Sequence, residues 1–344
     1  MKAYLSHLSA MRYWIPDLAQ GPLPQAKRSW DATLSDCAYR NMHLDALSIP
    51  PQLVVDGQLH LLVSKECGNP RSGQYVSHQC ATVLPRGSFC ELAPNVYVAS
   101  PELCFVQMAP RLELVDAARL ASYLCADFAI DTRMRDGIVE RKRATTIESL
   151  ERYIDAGKNL YGAAKAAKAL RFALEGAASP MEIDLATRMV FPVRNGGYGL
   201  VRPEVNAEVG MKPEVKKILG VTHVYADVLW RDANIDMEYD SDSWHTGSSR
   251  ITHDAQRRNA IQSSGVRVIT VTSRQYATVS QMDGIAKDVA KALGKNTTTI
   301  DEKHRARRSE LGNRLWDRSA ILPSSACGAS PDQLGEVAKR EHQA

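Results

Sequence analysis

The chain has 344 residues, 44% hydrophobic and 24% charged, with a formal net charge of +4. That balance is ordinary for a globular protein of about two domains; it permits nucleic-acid binding without requiring it. No stretch is long and apolar enough to cross a membrane, and "MKAYLSHLSAMRYW" lacks the apolar run of a signal peptide, so no membrane partner and a cytoplasmic location are expected. The seven cysteines are scattered without a CxxC pair, which argues against a disulfide framework. Zinc held by Cys67, His78, Cys80 and Cys90 matches no tetrahedral ligand spacing.

In chain order, residues 1–50 read as helical and polar, with Pro and Ser punctuation. "PQLVVDGQLHLLVSK" (51–65) reads as two short strands around Asp56-Gly57, a hairpin signal. "YVSHQCATVLP" and "NVYVAS" are further strands. "SPELCFVQMA" opens a helix at Ser100, with Ser as N-cap and Pro at the first helical position. "RLELVDAARLASYLCADF" continues with helical spacing. Thr145 and Glu148 then predict a capping box ahead of another helix.

Positive charge concentrates in this half. "RMRDGIVERKR" (133–143) includes Arg141, Lys142 and Arg143, and "GAAKAAKALRFALEG" (162–176) repeats Lys165, Lys168 and Arg171 every three residues. That spacing sets the three on one helix face. A solvated face and a phosphate-contacting patch both account for it.

A second part begins near residue 176. "SPMEIDLATRMVFP" predicts a helix with Ser179 as cap, Pro180 in the first turn and Glu182 as the capping acid. "RNGGYGLVRPEVN" (194–206) is a Gly-rich loop that lacks the Lys-Ser/Thr of a phosphate-binding loop. Two strands joined by a turn near 231–234 follow, then a loop over 241–250 and a helix over 252–263 ending at Gly265. "VRVITVTS" is a strand and 279–293 a closing helix. The order predicts a mixed sheet flanked by helices, hence an α/β chain of the α+β kind. The predicted divisions are 1–175, a small mixed α/β and helical module; 176–295, the sheet domain; and 296–344, a basic and mostly disordered tail with one short helix near 303–316.

The two central strands are unusually acidic. Asp236, Glu238 and Asp240 alternate along one face, and Asp227 sits on the preceding strand within reach of Glu238. Like charges on neighbouring strands repel, so either water or a divalent cation offsets them. Two carboxylates with water and phosphate oxygens suit Mg²⁺, which polarises a phosphodiester and acidifies an attacking water.

The ordered run of these motifs over residues 178–275 resembles the endonuclease-type domain of the PD-(D/E)XK superfamily, in the branch related to very-short-patch-repair endonuclease. The matching pieces are "SPMEIDL" with Glu182, "RPEVN" with Pro203 and Asn206, and "YADVLW" with Asp227. "MEYDSDSWH" with Glu238, Asp240 and His245, "HDAQRRNAI" with Asp254 and Arg257, and "GVRVITVT" complete the set. The resemblance implies a restriction-endonuclease-like fold that cleaves DNA with Mg²⁺ or Mn²⁺. Asp227 and Glu238 would hold the metal, Glu182 would assist, and Arg257 and Arg258 would contact phosphate. The superfamily's Lys is replaced by Asp240, which leaves His245 as the candidate base. The first half is similar to modules of abortive-infection antitoxins, through "SHLSAMRYW" and "VYVASPELCF". Two functions stay open on this reading: a metal-dependent endodeoxyribonuclease of phage defence or repair, and a non-catalytic DNA-binding regulator or antitoxin with a cognate toxin or defence partner.

Overall fold

The computed structural model describes residues 2–30, 33–34, 47–67, 73–134, 137–210, 223–240, 259, 261–295, 302–319 and 321. They form a mixed α/β chain with two units, Met1–Ala173 with Ser319–Ala344, and Leu174–Arg318. No helix among the described residues is long and apolar enough to cross a membrane.

The first unit is built on a six-stranded sheet of β1 (Ala3–Leu5), β2 (Lys27–Ser29), β3 (Leu59–Ser64), β4 (Tyr75–Cys80), β5 (Phe89–Ala93) and β6 (Val96–Ala99). Its order is β2-β5-β6-β1-β3-β4. β1 runs parallel to β6 and antiparallel to β3, so three residues at the start of the chain occupy the sheet's interior. Among the described residues of 1–50, the helical reading holds for α1 (His7–Trp14) and a 3-10 turn at Leu18–Gln20. Ala3, Tyr4 and Leu5 are fully buried, and a strand that short shows no period to read. The expected hairpin at Asp56-Gly57 is reduced to one bridge, Val55 to Gln58, feeding β3.

Helix α2 (Pro101–Met108) starts as the sequence predicts, with the Ser100 hydroxyl accepting from Leu103 N–H at 3.2 Å. All eight of its residues are buried. Helices α3 (Leu114–Leu124), α4 (Ile147–Ala156) and α5 (Ala163–Leu170) and the β7 (Phe128–Ile130) and β8 (Ile138–Glu140) hairpin complete the unit. The cap of α4 is Thr146, not Thr145, and its hydroxyl accepts from Ser149 N–H. Thr145 instead donates to Glu102 Oε1 at 2.6 Å.

Glu102 is the anchor of this region. Arg28 Nη1 and Nη2 reach its two carboxylate oxygens at 2.7 and 3.0 Å. Burial alone would raise its pKa, but the Arg28 hydrogen bonds and charge, with the Thr145 bond, outweigh it and hold the carboxyl below its usual 4.5. A depressed carboxyl pKa adds stability above the unfolded-state value and loses it as pH falls through the folded one. Wild type should therefore lose stability below about pH 4.5, while Glu102→Gln, about 2–3 kcal/mol less stable at neutral pH, should show a shallower acid limb in denaturant melts. Equal acid limbs would assign the acid sensitivity to other groups.

The second unit holds a four-stranded sheet in the order β12-β11-β10-β9. Its strands are β9 (Glu204–Val209), β10 (Val224–Trp230), β11 (Ile235–Asp240) and β12 (Arg267–Thr272). β9, β10 and β11 form an antiparallel meander, and β12 runs parallel to β11. Helix α6 (Pro180–Val190) packs on β9, β10 and β11. β9 overlaps the segment read as Gly-rich loop: Val205, Ala207 and Val209 are buried in alternation with Glu204, Asn206 and Glu208. The glycines of that loop serve packing. Gly196 has φ +91, and a Cβ there would collide with the Arg307 carbonyl oxygen.

Helices α7 (Ser273–Ala277), α8 (Val279–Ala292) and α9 (Glu302–Trp316) follow β12. The short helix predicted near 303–316 is α9, but it belongs to the second unit rather than to a loose extension. It buries Leu311 and Leu315 and packs against α6 and α8. The helix expected over 252–263 lies mostly outside the described residues, as do the loop 241–250 and the tail beyond 321.

Candidate functional site

The acidic strands take their positions from an interrupted ladder. β10 and β11 pair through Trp230↔Ile235 and Leu229↔Asp236. Continued by two residues, that register sets Asp227 against Glu238. Between them, acid side chains take up backbone donors: Val228 N–H reaches Asp236 Oδ1 at 3.1 Å, and Tyr239 N–H reaches Asp227 Oδ2 at 3.3 Å. The second bond fixes Asp227 beside the end of β11 that carries Glu238 and Asp240. Asp227 and Asp240 are half-buried, and Glu238 is 7% exposed.

Alternation along β11 places Asp236 with Glu238 and Asp240, as the sequence predicts. Their surroundings differ sharply. Asp236 is fully buried and is used by the backbone of β10. Ile235 and Met237 are buried on the opposite face, so both faces of this strand are covered here.

Glu182 is buried at the start of α6, and its Oε2 accepts from Ala178 N–H at 2.8 Å while Ser179 Oγ accepts from Glu182 N–H. Its carboxylate thus serves the helix N-terminus, where negative charge is favoured. Among the described residues, no three of His, Cys, Asp or Glu are placed to hold a metal ion. The trio of Glu182, Asp227 and Glu238 is therefore not assembled as a three-carboxylate cage; Asp227 and Glu238 remain as the pair, Asp227 being held at Tyr239 N–H, next to Glu238 in β11. Those two still fit a hard cation, because Mg²⁺ takes one or two protein carboxylates and keeps several waters. His245, Asp254, Arg257 and Arg258 lie outside the described residues.

Three of the six basic candidates in the first unit are held by that unit itself. Arg141 Nη1 donates to the Trp14 carbonyl at 2.7 Å, and burial lowers its pKa. Arg143 grips Asp127 through two bonds, at 2.9 and 2.5 Å. Lys165 donates to the Leu112 carbonyl at 2.5 Å. Exposed positive charge remains on Lys142, Lys168 and Arg171.

One polar cluster is not predicted from the sequence, which singles out only His78 of its members, in a zinc spacing that does not fit. His7, His60, His78 and Arg111 gather at the start of α1, although they are far apart in sequence. No spacing rule connects them, because β3, β4 and α1 meet only in the folded unit. Comparison with known protein families, curated proteins and solved structures finds no match to this chain.

Proposed function

We propose that the second unit is a metal-dependent phosphodiesterase of PD-(D/E)XK type, acting on DNA. The observation that carries this reading is the bond from Tyr239 N–H to Asp227, which ties the acid of β10 to the residue following Glu238 in β11. The helix, three-strand meander and parallel fourth strand supply the mixed sheet that the sequence resemblance implies. Bound Mg²⁺ would polarise the phosphodiester and generate the attacking hydroxide. Asp227 and Glu238 would hold that ion, and His245 would take or orient the water's proton. Glu182 shapes the site by fixing the start of α6 rather than by direct ligation.

A second reading follows from the same acids. Asp240 stands where the wider superfamily has Lys, which the branch resembled usually lacks too, so the weight falls on Glu182, engaged with its own helix. That engagement favours a DNA-binding regulator that keeps the fold without hydrolysis, in an antitoxin or defence role. Calorimetric titration of the full chain with MgCl₂ separates the two. A nuclease gives saturable heat at millimolar Mg²⁺ and Mg²⁺-dependent nicking of a supercoiled plasmid. His245→Ala should keep the heat and lose about 10²-fold or more in nicking rate. A flat titration in wild type removes the nuclease reading and leaves the regulator.

A further inference from the structure

The histidine cluster of the first unit is built as a site. His60 Nδ1 and His78 Nε2 are 2.9 Å apart. The His7 ring stacks on His78 with centroids at 3.7 Å, and the His60 and His78 rings are nearly parallel. Arg111 Nη2 lies 3.4 Å from His78 Nδ1. Arginine can only donate, so His78 Nδ1 accepts and its proton sits on Nε2. That N–H donates to His60 Nδ1, which leaves the His60 proton on Nε2, and no acceptor for it is found among the described residues.

The backbone is bent to serve this arrangement. His7 has φ +47 at the first position of α1, a conformation non-glycine residues seldom adopt and one that stores strain. Its N–H is held by Gln107 Oε1 at 3.1 Å. Ser6 occupies the N-cap yet makes no side-chain cap; its hydroxyl meets His7 Nδ1 at 3.0 Å. The N-terminus of α1 adds its own positive end to the cluster.

Arg111 is the cation that faces all three imidazoles, and Asp56 acts against it at His60 alone. Burial first, then His78, Arg111 and His60, lower the His7 pKa to about 2. Burial, His60 and Arg111 lower His78 to about 4. Burial and Arg111 lower His60, with Asp56 opposing; Asp56 also acts on Arg12 of α1. Arg111 is exposed, and His7 and His78 are partly so, which opens the cluster to solvent. A transition metal is disfavoured here. The inward nitrogens bond one another, Arg111 repels a cation, and no third ligand completes a set among the described residues. An anion meets the opposite conditions, since it supplies the missing acceptor and the missing countercharge.

We infer that His7, His60, His78 and Arg111 of the first unit form a binding site for a phosphate group. A dianionic phosphate balances the Arg111 guanidinium and one imidazolium, so binding draws a proton onto the cluster, on His78 or His60. The ligand is either a free phosphate or the terminal phosphate of a larger molecule such as an oligonucleotide.

The test is calorimetry of the full chain with inorganic phosphate at pH 6.5 and 8.0, in two buffers of different ionisation heat. Saturable binding is expected, with the apparent enthalpy shifting between buffers by the heat of up to one proton and the affinity falling at the higher pH. Arg111→Gln and His78→Gln, both checked for unchanged circular dichroism, should each lose tenfold or more in affinity. Should a variant fail to fold, the wild-type buffer dependence and the imidazole ¹⁵N shifts on phosphate addition carry the test. A 5′-phosphorylated oligonucleotide that outbinds its unphosphorylated twin, with the difference lost in Arg111→Gln, would identify a terminal phosphate as the source; equal binding of the twins points to free phosphate. Absence of phosphate heat in folded wild type, or binding indifferent to both substitutions, overturns the site.

Discussion

Asp227→Ala should leave the apo protein almost as stable as wild type and abolish every response to Mg²⁺. The residue is half-buried, and the bond it accepts from Tyr239 N–H is long at 3.3 Å. Removing such a bond costs about 0.5–1 kcal/mol. Relief of like-charge repulsion from Glu238 on the neighbouring strand offsets part of that cost. Mg²⁺ at about ten times its Kd should stabilise wild type by about 1.4 kcal/mol through mass action, a rise of roughly 3–5 °C for a unit of this size. Asp227→Ala should show no such rise and no nicking. Thermal melts with and without millimolar Mg²⁺ read this without a known substrate. An Mg²⁺ shift that survives the substitution would move the metal away from β10.

Asp236→Ala should do the reverse. Asp236 is two residues from Glu238 on the same strand, yet it is fully buried and accepts from Val228 N–H at 3.1 Å. The alanine leaves that donor without its acceptor where the backbone ladder is already open, a cost of about 2–4 kcal/mol. The expected fall in Tm is roughly 5–15 °C. Asp236→Asn, which keeps an acceptor oxygen, should fall less. Mg²⁺ should still stabilise whatever fraction of Asp236→Ala remains folded. If Asp236→Ala melts with wild type, the Val228 bond has no structural weight.

These neighbouring acids show where sequence reading stops. Alternation identifies the acidic face of β11 and the apolar face of Ile235 and Met237, because side-chain period is a property of the strand alone. It does not distinguish Asp236 from Glu238, whose fates depend on the register with β10 and on the cover from other elements. Caps are similarly local: Ser100-Pro101 and Ser179-Pro180 mark α2 and α6 correctly. Thr145 is misread because the tertiary partner Glu102 competes for its hydroxyl. β1 and β9 are lost for different reasons. The first is too short to show a period, and the second lies behind Pro203 and carries Asn206 at φ +48. The histidine cluster has no local signature at all, since its members come from separate elements.

The central place of β1 also has a temporal consequence. Ala3–Leu5 cannot be enclosed until Val96–Ala99 exists to pair with it. At a synthesis rate of about 5–20 residues per second, those apolar residues wait roughly 5–20 seconds for that parallel partner. Long-range parallel pairing of this kind raises contact order and slows folding. During that interval β3 offers an open edge beside which β1 belongs, and another chain's strand could take the same place. Yield on expression should therefore respond to temperature and chaperone supply more steeply than the finished sheet's stability alone would suggest.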